Sequence, residues 1–348
     1  MCLSGILLGV RGGGVYLMKK SIYIFSNGEL KRKDNTFFIE KEDGKKNYLP
    51  IENINDIYIF GEVSVTKKFL ELMSQKEIVL HFFNYYGYYS GSFYPREHYN
   101  SGYMILNQSK YYFDKEKRLN LARSFVNGSY INMSKVLTYY NNRGRHVEEY
   151  ILRIDNLAEK IQTSESIEEL MAIEGNMRNY YYQSFEKIID NDDFKFQQRT
   201  KQPPKNYLNA MISFGNSLLY VAILSEIYKT HLDPRIGYLH TTNNRSFTLN
   251  LDLSEIFKPI IVDRTIFKLV NTNMITADDF DKNMGGILLS EKGRKTFIKE
   301  FEDKMNSTIR HPKLGRNVSY RRLIRLECYK LQKHFMGEEI YEPFKARW

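Results

Sequence analysis

The sequence predicts an α+β protein, a small N-terminal β-rich domain followed by a larger all-α domain, and three observations carry that prediction. Up to about residue 98, short runs alternate apolar and polar residues, the period of half-buried strands. Beyond about residue 100 the apolar spacing becomes helical and stays so over long segments. The 348 residues exceed what one small core usually covers, and a 42% hydrophobic share suffices for a proper core.

Along the chain, KKSIYIFSNGEL pairs an alternating run with Asn27-Gly28, a hairpin signal. FFIEKEDGKKNYLPI repeats the scheme with Asp43-Gly44 at its turn. NDIYIFG and IVLHFFNYYGYYSGSFYP read as further strands, and VTKKFLELMSQKE, with Phe69, Leu70 and Met73 at helical spacing, interposes one short helix. Five long helical patterns follow: KEKRLNLARSFVNGSYINMSKVLTYY, HVEEYILRIDNLAEKI, SIEELMAIEGNMRNYYYQSFEKII, NYLNAMISFGNSLLYVAILSEIYK and SYRRLIRLECYKLQKHF. The fourth is apolar on nearly all faces and reads as the central buried helix. Residues 191–205, polar and bearing Pro203-Pro204, read as a loop. Residues 18–98 and 99–348 are thus expected to form the two domains. Residues 1–17 are expected to lie outside the native chain. Arg11-Gly12-Gly13-Gly14 has the form of a purine-rich ribosome-binding site read as protein, at the right spacing before Met18.

Lys and Arg number 51 against 41 Asp and Glu, a net charge of +10 that favours a polyanionic partner such as nucleic acid. Composition weakens the inference, because Lys, Asn, Ile, Tyr and Phe are what AT-rich codons deliver. The two cysteines, Cys2 and Cys328, exclude a disulfide scaffold and suit a reducing, cytoplasmic location. No run approaches the ~18 apolar residues of a membrane span.

Three places are chemically suggestive. Around Glu174, about 100° per residue puts Ile167, Leu170, Met171, Met177, Tyr181, Phe185 and Ile188 on one stripe, with Glu174 and Arg178 inside it. A carboxylate on a packed face is costly unless paired or bound to metal. Both readings stand: an i,i+4 pair with Arg178, or a ligand. Gly175 beside it offers room for another backbone to approach closely. The second place is GYLHTTNNRSFTLNLDLSEIFKP, where His240 precedes Asp252 and Glu255. The bland readings are a structural histidine, a helix cap at Asp252 and a surface pair of Glu255 with Lys258. The sharp reading gathers one histidine and two or three carboxylates, a hard donor set suited to Mg²⁺ or Mn²⁺ and common in phosphodiester chemistry. The third is the stretch from Arg310 to His334, with eight Lys or Arg against Glu327 alone. There Ile324, Cys328, Leu331 and Phe335 form an apolar stripe, with Arg322, Arg325, Tyr329 and Lys333 opposite. The expectation is a buried helix with a cationic, phosphate-tracking outer face, against the alternative of a solvated one.

The order of these motifs is familiar. Behind a β domain ending in FGEVSVTKKFLELMSQKEIVLHFFNYYGYYSG come AIEGNMRNYYY, QPPKNYLNAMISFGNSLLY, HLDPRIGYLH and LDLSEIFKPIIVDR. Over essentially residues 18–348 the chain resembles the CRISPR-associated protein 1 family, the metal-dependent integrase and endonuclease of spacer acquisition. The resemblance implies that Glu174, His240 and Glu255 are catalytic metal ligands for Mg²⁺ or Mn²⁺, with Asp252 as a supporting acid. Many relatives have Asp where Glu255 stands. It implies transesterification, in which protospacer 3′-hydroxyl ends are joined to the CRISPR repeat. Arg178 and Arg245 are expected to offset charge at phosphorus, and Arg322, Arg325 and Lys333 to contact double-stranded DNA. It further implies a homodimer built through the β domains and a heterohexamer with a dimer of CRISPR-associated protein 2. Two other readings remain: a non-catalytic DNA-binding scaffold, and a stand-alone nuclease acting on branched DNA.

Overall fold

The computed structural model describes residues 19–347 other than 96–98, 100, 202, 243–246 and 284. The readings of residues 1–17 and of Arg245 therefore lie outside the described residues. The chain divides into two compact units at residue 98/99.

The first unit contains β1 (Lys20–Ile24), β2 (Gly28–Lys33), β3 (Thr36–Glu40), β4 (Lys46–Leu49), β5 (Ile54–Ile59), β6 (Val63–Val65), α1 (Lys67–Gln75), β7 (Val79–Phe83) and β8 (Tyr89–Phe93). Two four-stranded sheets result, ordered β1-β5-β7-β8 and β4-β3-β2-β6. In the first, β5 lies parallel to both neighbours and is buried along its whole length, as a central parallel strand must be. Leu30, Phe37 and Ile39 pack with Ile57, Ile59 and Leu80 and with Phe69, Leu72 and Met73 of α1 in one core. Thr66 caps α1, its hydroxyl accepting from the Phe69 N–H at 3.3 Å.

Asn27-Gly28 is not a hairpin. β1 and β2 belong to different sheets, so the chain crosses from one to the other at this point. Gly28 answers a different need. Its φ is +145°, and a Cβ there would sit 2.3 Å from the Glu40 carbonyl oxygen. Asp43-Gly44 does turn β3 into β4, and β7 returns antiparallel as β8.

The second unit comprises α2 (Gly102–Phe113), α3 (Lys115–Asn141), α4 (Glu148–Ala158), α5 (Ile167–Gln183), the single turn α6 (Phe185–Ile188), α7 (Tyr207–Tyr228), α8 (Leu249–Lys258), a π-helical turn Pro259–Asp263, α9 (Arg264–Asn271), α10 (Glu291–Asn306) and α11 (Tyr320–Phe335). It is not purely helical. β9 (Phe280–Asn283) with β10 (Gly286–Leu289), and β11 (Thr308–Arg310) with β12 (Asn317–Ser319), form two small antiparallel ribbons.

α7 corrects the expectation about membrane spans, being long and apolar enough to cross a membrane by length and composition. Most of it is buried within the unit, so its hydrophobicity is that of a core helix. Gly215 lets α7 approach the π-helical turn, because a Cβ there would lie 2.6 Å from the Val262 side chain. On the other side Asn132 of α3 donates to the Ile256 carbonyl of α8 at 2.8 Å. α8 is thereby held between α3 and α7.

Candidate functional site

α5 and α8 deliver the charged side chains that the sequence singled out. Ser166 caps α5, accepting from the Glu169 N–H at 3.1 Å, and Leu170, Ile173, Met177 and Tyr181 bury one face. Glu174 and Arg178 lie on that face, one turn apart. Arg178 is the hub. Its Nε donates to Glu174 at 3.3 Å, and one terminal nitrogen donates to Glu255 of α8 at 2.6 Å and to the Ser129 hydroxyl of α3 at 2.9 Å. Lys258 holds the other Glu255 oxygen. The Glu255–Lys258 pair expected at the surface thus exists but is buried, and the Glu174–Arg178 pair is half of a bridge between two carboxylates. Gly175 has nothing within 4 Å of an added Cβ, so no backbone approaches there.

His240 reaches the cluster by another route. The loop between α7 and α8 wraps over the carboxylate of Asp252, which is fully buried in the first turn of α8. That carboxylate accepts from the backbone N–H groups of Tyr238 (2.6 Å), Leu239 (3.1 Å) and His240 (2.9 Å), and from the imidazole Nδ1 at 2.9 Å. Asp252 is therefore a clamp that fixes the loop and the ring together. A carboxylate only accepts, so Nδ1 carries a proton, and in the neutral ring Nε2 keeps the lone pair, the arrangement seen in carboxylate–histidine–metal triads.

Electrostatics separate the two glutamates. Burial raises the pKa of Glu174, and the charge of Glu255 and a hydrogen-bonding contact with it add to the rise, outweighing Arg178 and Lys258. Burial pushes Glu255 the same way, but Lys258, Arg178 and His240 together hold it well below the usual carboxylate range. Burial opposes charge on His240, yet the bond to Asp252, that residue's charge and the charge of Glu255 raise its pKa. Glu174, Glu255 and His240 are thus electrostatic neighbours drawn from two helices and a loop. They are not a finished coordination sphere. Among the described residues, no group of three His, Cys, Asp or Glu side chains is spaced to hold a metal ion. Both Glu255 oxygens face cations instead. The chemistry of the donor set fits a hard divalent cation all the same: two buried carboxylates sharing one guanidinium, beside an imidazole whose Nδ1 is fixed by Asp252.

The terminal helix differs from its reading. Its apolar stripe, Ile324, Cys328, Leu331 and Phe335, is buried as expected. The opposite face is less open. Arg325 donates to the buried Glu226 of α7 at 2.6 Å, Arg322 lies half-buried over the Tyr329 ring, and Lys333 is exposed but paired with Glu339 at 3.1 Å. Arg321 pairs with Glu302 and Lys330 with Glu327.

The residues missed in sequence are Lys258 as a buried partner, Glu226, and Asp263 at the end of the π-helical turn. The one available signal for Asp263 was an acid closing the apolar run PIIVD, with no local cation to pair it inside that run.

A strand-rich unit preceding a helical one, with an acid–histidine–guanidinium cluster inside the latter, defines a class of two-unit proteins whose polar site is built on buried helices. The family model described as "CRISPR associated protein Cas1" matches residues 22–303, and the chain belongs to that family. It is 59% identical over 331 residues to the "CRISPR-associated endonuclease Cas1 2" of Thermodesulfovibrio yellowstonii, covering 95% of this chain and 100% of the relative. The solved structure of TM1797, a CAS1 protein from Thermotoga maritima, superposes with a TM-score of 0.83 at 46% identity, over 93% of this chain and 99% of that one. A casposase bound to integration product shares the fold, with a TM-score of 0.84 at 20% identity over 94% of each chain.

Proposed function

We propose that the chain is a divalent-cation-dependent DNA endonuclease and integrase of CRISPR adaptation, in which Glu174, Glu255 and Nε2 of His240 would hold Mg²⁺ or Mn²⁺. The observation that carries this reading is that one guanidinium, Arg178, gathers the Glu174 and Glu255 carboxyls beside a histidine whose other nitrogen is clamped by Asp252. The endonuclease name of the 59%-identical relative supports it. When bound, the cation supplies Lewis-acid polarisation of a phosphodiester oxygen.

The chain's own residues do the rest. Asp252 orients the imidazole and fixes its tautomer. Lys258 carries buried positive charge beside Glu255, towards the point where negative charge grows on phosphorus. In strand transfer, the 3′-hydroxyl oxygen of the protospacer bonds to phosphorus while the repeat's own P–O bond breaks; the attacking hydroxyl gives its proton to water and the leaving 3′-oxygen of the repeat takes one up. One P–O bond is exchanged for another, so no covalent enzyme intermediate forms and the many tyrosines need not be nucleophiles. Water in place of the hydroxyl gives cleavage. Double-stranded DNA, a homodimer through the β-rich unit, a heterohexamer with a dimer of CRISPR-associated protein 2, and action in the cytoplasm complete the proposal. Lys333 and Arg322 are the terminal-helix cations assigned to the DNA backbone.

One observation favours a second reading. Arg178 already neutralises both glutamates, as it would in a non-catalytic DNA-binding scaffold. His240→Ala distinguishes the two. Strand transfer and cleavage in Mn²⁺ should fall by about 10²-fold or more while DNA binding stays near wild type; unchanged activity sinks the site assignment.

A further inference from the structure

Beneath the cluster lies a carboxylate that the proposed function leaves unused. Asp263 is fully buried, and neither of its oxygens has a hydrogen-bond partner. A buried acid in that state is costly and calls for a reason. Its surroundings supply one. The remaining terminal nitrogen of Arg178, Nη1, is likewise buried without a partner, and so is the Tyr181 hydroxyl one turn further along α5. Arg178 and Asp263 lie close enough that each alters the other's proton affinity, and the Tyr181 hydroxyl, outside full hydrogen-bond reach, still lowers the proton affinity of Asp263 as a weak donor.

The backbone places Asp263 there. In a continuous α-helix a residue eight positions beyond Glu255 points about 80° away from it. Pro259 lacks the N–H that would close the α-helical bond onto Glu255, and the chain widens into the π-helical turn Pro259–Asp263. A π turn absorbs one extra residue, so the effective spacing is seven and Asp263 returns to within about 20° of Glu255. Glu255 and Asp263 thus stand at successive levels of the same helical column, the first bonded to Arg178 and the second within reach of its charge. Three carboxyls, Glu174, Glu255 and Asp263, share two cations, Arg178 and Lys258. Glu255 takes the close contacts of both, and Asp263 takes none.

We propose that Asp263 is the second berth of the Arg178 guanidinium, a positioning residue that receives Arg178 when Glu174 and Glu255 turn to a divalent cation. The inference rests on the metal reading above. If Glu174 and Glu255 held a divalent cation, the guanidinium bridging them would be repelled from it. Asp263, with two open acceptors, offers it a destination without exposing a buried charge. The single rotation trades one buried ion pair for another, and the Ser129 hydroxyl is the pivot contact on α3. Burial raises the pKa of Asp263 to about 7 against the pull of Arg178 and Lys258, consistent with a carboxyl that now lacks a cation of its own.

The test is a Mn²⁺ titration of the full-length protein by calorimetry, comparing wild type with Asp263→Asn and Asp263→Glu, with thermal melts confirming that each is folded. Asp263→Asn keeps the shape but removes the berth, and Mn²⁺ affinity should fall about tenfold, while Asp263→Glu retains most of it. A purely structural role would change the melting temperature and leave Mn²⁺ affinity alone. Equal affinity in wild type and Asp263→Asn overturns this inference but spares the metal site. A wild-type protein that takes up no Mn²⁺ overturns the metal reading and this inference with it. Independently of any variant, a Mn²⁺-loaded crystal should show Arg178 bonded to Asp263; Arg178 still bonded to Glu255 refutes the exchange.

Discussion

The helical unit contains two buried charge clusters, and they are built to opposite specifications. Around Glu226 a fully buried carboxylate has Arg325 on one oxygen at 2.6 Å and Lys229 on the other at 3.3 Å. Burial would raise its pKa, but Lys229, Arg325 and Arg321 bring it below the ordinary value. Around Arg178 the same residue types leave Glu174 with a raised pKa, Asp263 with no hydrogen-bond partner and one guanidinium nitrogen unpaired. In the first cluster both carboxylate oxygens are paired, and the pair with Arg325 ties α11 to α7. The second is incomplete in a way that a proton, a further cation or a rearrangement relieves. Buried polar groups left unsatisfied mark function more reliably than buried polar groups as such.

The comparison can be broken at either end. The largest expected effect on stability comes from pH. Asp263 has a folded pKa raised to about 7, above its unfolded value near 3.8. A raised carboxyl contributes its full share of stability below the unfolded pKa and loses it as pH rises through the folded one. Metal-free protein should therefore lose on the order of 3–4 kcal/mol between about pH 4 and pH 7 through this group, and Asp263→Asn should flatten that slope in urea melts. A wild-type slope retained in the variant would show that Asp263 is not strained. Next in size, Arg325→Ala should cost about 3 kcal/mol, because a buried Glu226 loses its closest cation. The salt dependence of DNA binding should stay unchanged. Loss of DNA affinity without loss of stability would move Arg325 back to the binding surface. The smallest effect is that of Lys333→Ala, which should weaken DNA binding alike for all sequences and lower the salt slope by about one. An unchanged slope removes that lysine from the interface.

These clusters also show what could be read from the residues. Long helices such as α3 and α7, the strand-rich first unit and α1 were visible because hydrophobic period is a local property. Asn27-Gly28 misled because a dipeptide carries a turn preference but not the partner of the next strand. β2 pairs with β3 and β6 rather than with β1. The two ribbons in the helical unit are too short to show a period. On the cationic face of α11 one partner was hidden for a related reason. Counted along the helix, Arg325 has no carboxylate near it on its own face, yet Glu226, nearly a hundred positions earlier, supplies one. Glu174, Asp252 and Glu255 were picked out through packed-face costs and family resemblance. Asp263 was not, because its significance arises from the π-helical turn that realigns it, and periodicity assumes no such turn.

The central claim is that Glu174, Glu255 and His240 hold one divalent cation. Anomalous diffraction at the manganese edge from a Mn²⁺-soaked crystal tests it most directly. The account predicts a single strong peak bonded to both carboxylates and to Nε2 of His240, absent from His240→Ala crystals. A clean map, with Arg178 still spanning the two glutamates at saturating Mn²⁺, would contradict it.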